Sequence, residues 1–339
     1  MDQSWAGPPL DTRPLFPAER AEFTALLRNL DPAGWQRPTV CPGWRVHDVV
    51  AHVVHDYLRK LSRTRDRHPG PDPLPGESLP EFLARMNQEF VDAARSVSPH
   101  ALVDLLDHLG PQLDRLWQSL DLGATGEPVS WAAPGRPAPV WLDVAREYTE
   151  FWVHQQQVRD AVARPGANSD RLTWPVVDTF LRAVPYALRH LSPGPGTCLH
   201  IQVTGPGGGS WTVRRQDATW VVNRGWPDRR ADAIIRLSSD ALWWVATRGI
   251  PVETARAGRA DHRPGAWRVH HHAPGHHLRA TRHGAGVARR LPSRHASCVI
   301  RCRPGPAAPA SRPCSRSRPG RCRCPHALLP ARGSSRRPR

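Results

Sequence analysis

Glu150 and His154 stand four residues apart in REYTEFWVHQQQVRDAV (146–162). On a helix that spacing places them one above the other on a single face. One helix can thus offer a carboxylate and an imidazole to one ion, and helical bundles build metal sites from side chains on facing helices. A second imidazole, His52, sits within the valine-rich run RVHDVVAHVVHDYLRKLSR (45–63). A helix there turns His52 toward the core, where its ring nitrogens require a partner. Two nitrogens and one carboxylate suit zinc or another borderline divalent ion, with a position left open for chemistry. The spacing alone also fits a surface Glu–His pair and an ordinary core histidine. His47 and His55 read as solvated groups or as groups that orient a ligand, with His55 close enough to ligate instead. Glu147, three residues before Glu150, could likewise ligate or orient.

These residues need helices to carry them, and the first half of the chain reads as helical. PAERAEFTALLRNL (17–30) places Phe23, Leu26, Leu27 and Leu30 on one face. A loop with Pro and Gly punctuation follows, and then 45–63, whose stripe is Val46, Val49, Val50, Val53, Tyr57 and Leu61. Ser78-Leu-Pro-Glu81 has the form of a capping box opening a helix over 79–97. Further helices are expected over 99–120 and 139–164, and together the long helices indicate a bundle. The segment 174–191 keeps the helical period, with a kink expected at Pro185. From Cys198 the period changes to two: CLHIQVTG, GSWTVRRQ, TWVVNRG and ADAIIRLS read as four short strands, and DALWWVATRG (240–249) as a helix. The fold expected is therefore mainly α plus a small α+β domain: a four-helix bundle over 1–170, then a short sheet-and-helix domain over 175–255. One helix and four strands leave an apolar sheet face only partly covered, so that second domain reads as incomplete.

The segment TVCPGWRVHDVVAHVV (39–54) resembles the signature region of the mycothiol-dependent maleylpyruvate isomerase-like family, within the wider DinB-like group. Trp35, Pro38, Thr39, Cys41, Pro42, Gly43, Trp44, Asp48 and His52 match its pattern, and Glu150 and His154 match its later E-x3-H pair. The resemblance covers roughly residues 17–165. It implies a DinB-like metal-binding four-helix bundle in which His52, Glu150 and His154 hold a divalent ion, usually Zn2+. Residues 175–255 are more weakly similar to the family's C-terminal domain. There Arg248, in DALWWVATRGIP (240–251), would be an anion-binding or catalytic arginine. It also reads as an arginine set against a helix C-terminal dipole.

The chemistry that the resemblance implies is a mycothiol-dependent isomerase or S-transferase, in which a metal-activated thiolate adds to a small electrophile. The partners expected are that small-molecule thiol and the electrophile, with no membrane and no specific nucleic acid. Cys41 is a possible competing nucleophile, although its Pro-Gly turn suggests a structural role. The alternative is a non-catalytic metal-binding bundle acting through a protein partner.

Charge is divided unevenly along the chain. The formal net charge is +17, yet residues 256–339 carry 20 arginines and one acid, a formal +19. The remainder carries 27 bases against 29 acids and is slightly acidic. Nucleic-acid binding could therefore arise only from the Arg-rich segment, and no basic face is foreseen on the folded part. Lys60 is the one lysine beside 46 arginines, the mark of a GC-rich gene and consistent with an actinobacterial source. The composition of 256–339 is what such a gene yields out of frame, so this stretch reads as a disordered Arg/Pro-rich tail or a frame-shifted one. Cys298-x3-Cys302 and Cys322-x-Cys324 lack the paired spacing of a zinc module. His270–His272 can bind metal adventitiously. Two distant cysteines in the first part, no leader-like start and no run of ~18 apolar residues point to a cytoplasmic protein.

Overall fold

Prolines and caps set the helix starts. In a computed structural model of the chain, which describes residues 3–247, Gly249 and 268–271, α1 runs Phe16–Arg28 and α2 Pro32–Trp35, each with Pro in its first turn. There the missing N–H has no partner to lose. Helix α3 spans Val46–Lys60 and continues into a wider turn over Leu61–Arg65. Helix α4 spans Leu79–Ala94. Its foreseen capping box is present, with the Ser78 backbone N–H and hydroxyl both donating to Glu81 at 3.0 and 2.7 Å. Helix α5 (Pro99–Ser119) starts on Ser98, whose hydroxyl accepts from the Ala101 N–H at 3.2 Å. A two-strand ladder, β1 (Thr125–Gly126) with β2 (Ala138–Pro139), leads into α6, Val140–Ala161.

Helices α1, α3, α5 and α6 form the bundle: α1 packs on α5, α5 on α3, α3 on α6, and α6 on α1. The short first helix thus occupies a corner, while α4 lies outside against α3. Burial explains the choice, since α4 buries only Phe82, Val91 and Ala94, whereas α1 buries Phe16, Phe23, Leu26 and Leu27. Phe16 sits 5.4–5.9 Å from the rings of Trp117, Tyr148 and Phe151 and ties α1 to α5 and α6. With neighbours on three sides, α3 is buried at every position from Val46 to Tyr57, not along one stripe alone.

Helix α7 (Asp170–Leu181) and the short α8 (Val184–Ala187) replace the single kinked helix expected there, and the break comes just before Pro185. The sheet follows: β3 (Cys198–Thr204), β4 (Gly209–Gln216), β5 (Thr219–Arg224) and β6 (Ala233–Ser238), then α9 (Ser239–Ala246). The order is β5-β4-β3-β6-β7, with β3 parallel to β6 and the other pairs antiparallel. Strand β7, Arg268–His271, lies within the stretch expected to be disordered, and pairs its backbone with the edge that β6 would otherwise leave open. The rest of 256–339, with His272 and the cysteine cluster, lies outside the described residues.

The sheet's apolar face is better covered than expected. Val177 and Leu181 of α7 pack against Ile201, Val203, Trp211, Val213, Trp220, Val222 and Leu237. Leu172, Val176 and Phe180 of the same helix join the bundle core. Asp178 fixes α7 to β4, accepting from Trp211 Nε1 at 2.7 Å and from Arg182 at 2.6 Å. Among the described residues, no helix is long and apolar enough to cross a membrane.

Candidate metal centre

The turn before α3 is fixed by two residue types. Pro42 and Gly43 occupy the central positions of a tight turn in which the Trp44 N–H donates to the Cys41 carbonyl at 3.0 Å. Gly43 has φ +80°, the value a type II turn demands and one that favours glycine. Thr39 holds both ends, donating its hydroxyl to the Trp44 carbonyl at 2.9 Å and accepting from the Cys41 N–H at 3.2 Å. The turn carries the Trp44 indole to 5.2 Å from the His52 ring. It also brings Cys41 inward, where Sγ donates to Gln157 Oε1 of α6 at 3.2 Å.

His52 from α3 faces His154 from α6 with ring centroids 4.7 Å apart and planes nearly perpendicular, at 86°. Glu150, one turn before His154, places Oε1 3.6 Å from His154 Nε2. One donor atom from each of the three residues lies within 4.8 Å of the others. Ligand atoms around tetrahedral zinc stand about 3.4 Å apart, so the Glu150–His154 spacing is close to that of a coordinated pair. Both imidazoles are buried, while the Glu150 side chain is 33% exposed and forms the set's edge toward solvent.

The electrostatics favour ligand-competent forms. Burial pushes His52 down to about 4, against smaller opposing pulls from Asp56 and Glu150, so the ring is neutral at pH 7 with a lone pair to give. Its Nδ1 is buried and has no hydrogen-bond partner. Burial also works against the Glu150 anion, but the hydrogen bond and charge of His154 outweigh it and hold the carboxyl below its usual range. Two imidazoles and a carboxylate, with His52 neutral and its Nδ1 otherwise unsatisfied, fit a borderline divalent cation.

The other candidates lie elsewhere. His55 stacks on Phe90 of α4 at 4.5 Å. His47 bonds through Nε2 to the Val97 carbonyl at 2.9 Å and meets Trp35 edge-on. Glu147 pairs with Arg146 and with Lys60 Nζ at 3.0 Å, and the same Nζ also reaches Asp143 at 3.0 Å. Cys41 is buried rather than presented to a substrate. Arg248 lies outside the described residues.

Residues 16–159, which include the bundle and all three clustered residues, match the family described as the mycothiol maleylpyruvate isomerase N-terminal domain. The match covers the helical bundle and less than half of the chain. An uncharacterized protein of Mycobacterium tuberculosis strain H37Rv is 25% identical over 251 residues, spanning 71% of this chain and 93% of its own length. Its counterpart in strain CDC 1551 matches equally. Crystal structures of the mycothiol-dependent maleylpyruvate isomerase and of a mutant of it align over 73% of this chain and 92% of theirs, with 15% identity and a TM-score of 0.45.

Two further residues of the bundle touch the cluster, and of these Asp56, four residues after His52, is the one that simple spacing marks. Asp56 is one turn beyond His52, with Oδ2 3.4 Å from His52 Nε2 and Oδ1 engaged by Arg59 at 2.9 Å. Its burial is outweighed by His52 and Arg59, which hold it far below the carboxylate range. Gln157, three residues past His154, accepts from His154 Nδ1 at 2.8 Å. A polar cleft of about 380 Å³ opens at the N-terminus of α3, lined by Gln36, Gly43, Arg45, His47, Asp48 and Arg95. None of the three clustered residues lines it.

Proposed function

We propose that His52, Glu150 and His154 hold a divalent ion, most simply Zn2+, and that the chain is a mycothiol-dependent isomerase or S-transferase acting on a small electrophile. The observation that carries this reading is the convergence of two buried imidazoles, His52 neutral, and one carboxylate inside a bundle that matches the isomerase N-terminal family. An ion bound there would hold a thiol as the nucleophilic thiolate. The chain's own contribution is to supply the donors in the right protonation states. It also packs Trp44 against His52 and leaves Glu150 as the exposed rim through which small molecules approach.

A second reading, a non-catalytic bundle with a structural ion and a protein partner, is favoured by one observation: both imidazoles are buried and the nearby cleft is not lined by them. Zinc content comes first, measured on the full chain and on His154→Ala side by side so that metal on the tail histidines cancels. One zinc more in the wild type than in the variant is expected; equal contents remove the ligand assignment. Mycothiol with maleylpyruvate or another electrophile then separates the readings. Only an enzyme consumes the thiol or isomerises the substrate in a manner abolished by His154→Ala.

A further inference from the structure

We propose that Gln157 is a positioning residue for the metal centre: its side-chain oxygen selects the tautomer of His154 that turns a lone pair toward Glu150 and the ion. The inference rests on the metal reading above. His154 Nδ1 and Gln157 Oε1 are 2.8 Å apart in the buried interior. A neutral imidazole carries one donor and one acceptor nitrogen, and a partner that only accepts forces the proton onto the nitrogen facing it. With Nδ1–H committed to Gln157, Nε2 is the lone-pair nitrogen, and Nε2 is the atom 3.6 Å from Glu150 Oε1. The amide is itself oriented, because the same Oε1 accepts from Cys41 Sγ at 3.2 Å. Two donors converging on one oxygen favour that face of the amide over its NH2 group. The turn before α3 thereby acquires a role at the metal, transmitted from Cys41 through Gln157 to His154. The opposite amide orientation would put the proton on Nε2, aimed at Glu150, and would exclude a cation.

The test uses the full chain and Zn2+ alone as ligand. Nitrogen-15 NMR of histidine-labelled metal-free protein, with the His154 signal assigned by its loss in His154→Ala, reads the tautomer directly. The Nδ1–H form is expected in the wild type. Zinc affinity is then measured by chelator competition, with tail binding subtracted through His154→Ala. Gln157→Leu should weaken binding by about 10- to 100-fold, the usual loss when a ligand's orienting partner is removed. Gln157→Glu, which keeps the acceptor, should stay within a few-fold of wild type. An Nε2–H tautomer in the wild type, or undiminished zinc affinity in a folded Gln157→Leu, overturns the proposal while leaving the metal reading intact. Should Gln157→Leu fail to fold, the wild-type tautomer and Gln157→Glu still decide. Absence of any zinc that depends on His154 overturns the metal reading, and the positioning role falls with it.

Discussion

Gly43 and Glu19 show how much single residues contribute beyond the clustered donors. No atom lies within 4 Å of where a Cβ on Gly43 would project, so Gly43→Ala meets no clash and pays only for its φ of +80°. A loss of about 1–2 kcal/mol in urea unfolding is expected; an unchanged midpoint would remove the turn's claimed dependence on glycine. Glu19 is buried against Gln155, whose Nε2 donates to it at 2.8 Å. Burial pushes its carboxyl up to about 8, only partly offset by Arg20, Gln155 and Arg159. The folded state then holds a proton that the unfolded chain releases near pH 4.5. Stability from this group is therefore full below about 4.5 and is lost as pH rises toward 8, by at most ~1.4 kcal/mol per unit. Glu19→Gln should flatten that part of the stability–pH profile, and parallel profiles would mean the carboxyl ionises in place. The clustering of His52, Glu150 and His154 was largely legible, because a four-residue spacing on a helix is a local property and the CPGW turn is a local motif. The proper roles of His55 and Glu147 were not, since Phe90 and Lys60 reach them from distant segments. Gln157 was hidden for a similar reason: an amide in a QQQ run carries no mark of which copy meets Cys41.

Element assignment followed the sequence closely wherever one periodicity ruled. The four foreseen strands begin within two residues of the observed ones, and the Ser78–Glu81 capping box is in place. What eluded the pattern was partnership. Helix α7 is apolar on two sides because it serves two cores, a pattern that resembles a plain buried helix until the sheet is set beside it. Its anchor should be correspondingly costly to remove. Asp178→Ala would leave the buried Arg182 guanidinium without its carboxylate and Trp211 Nε1 without an acceptor. Breaking a buried pair from one side costs about 3–5 kcal/mol. Asp178→Asn, which can still accept from Trp211, should lose less. Denaturant melts of the two variants check the order, and an equal loss would assign the whole effect to the charge.

On the scale of the whole molecule, the two cores meeting across α7 should melt together. Far-ultraviolet circular dichroism, dominated by the bundle, and the fluorescence of Trp211 and Trp220 in otherwise tryptophan-depleted protein should report one midpoint; two separated transitions would mean that α7 does not couple them. The charge map adds a different kind of consequence. The one lysine, Lys60, has a side chain only 12% exposed, with its ammonium held between Asp143 and Glu147. Amine-directed chemistry therefore meets one side-chain amine, largely shielded and doubly ion-paired. Acylating dyes, aldehyde fixatives and surface-coupling esters should react faster at the α-amino group than at Lys60, giving at most two labels per chain. Any cellular tag that is conjugated through lysine would have to displace Lys60 from Asp143 and Glu147 first.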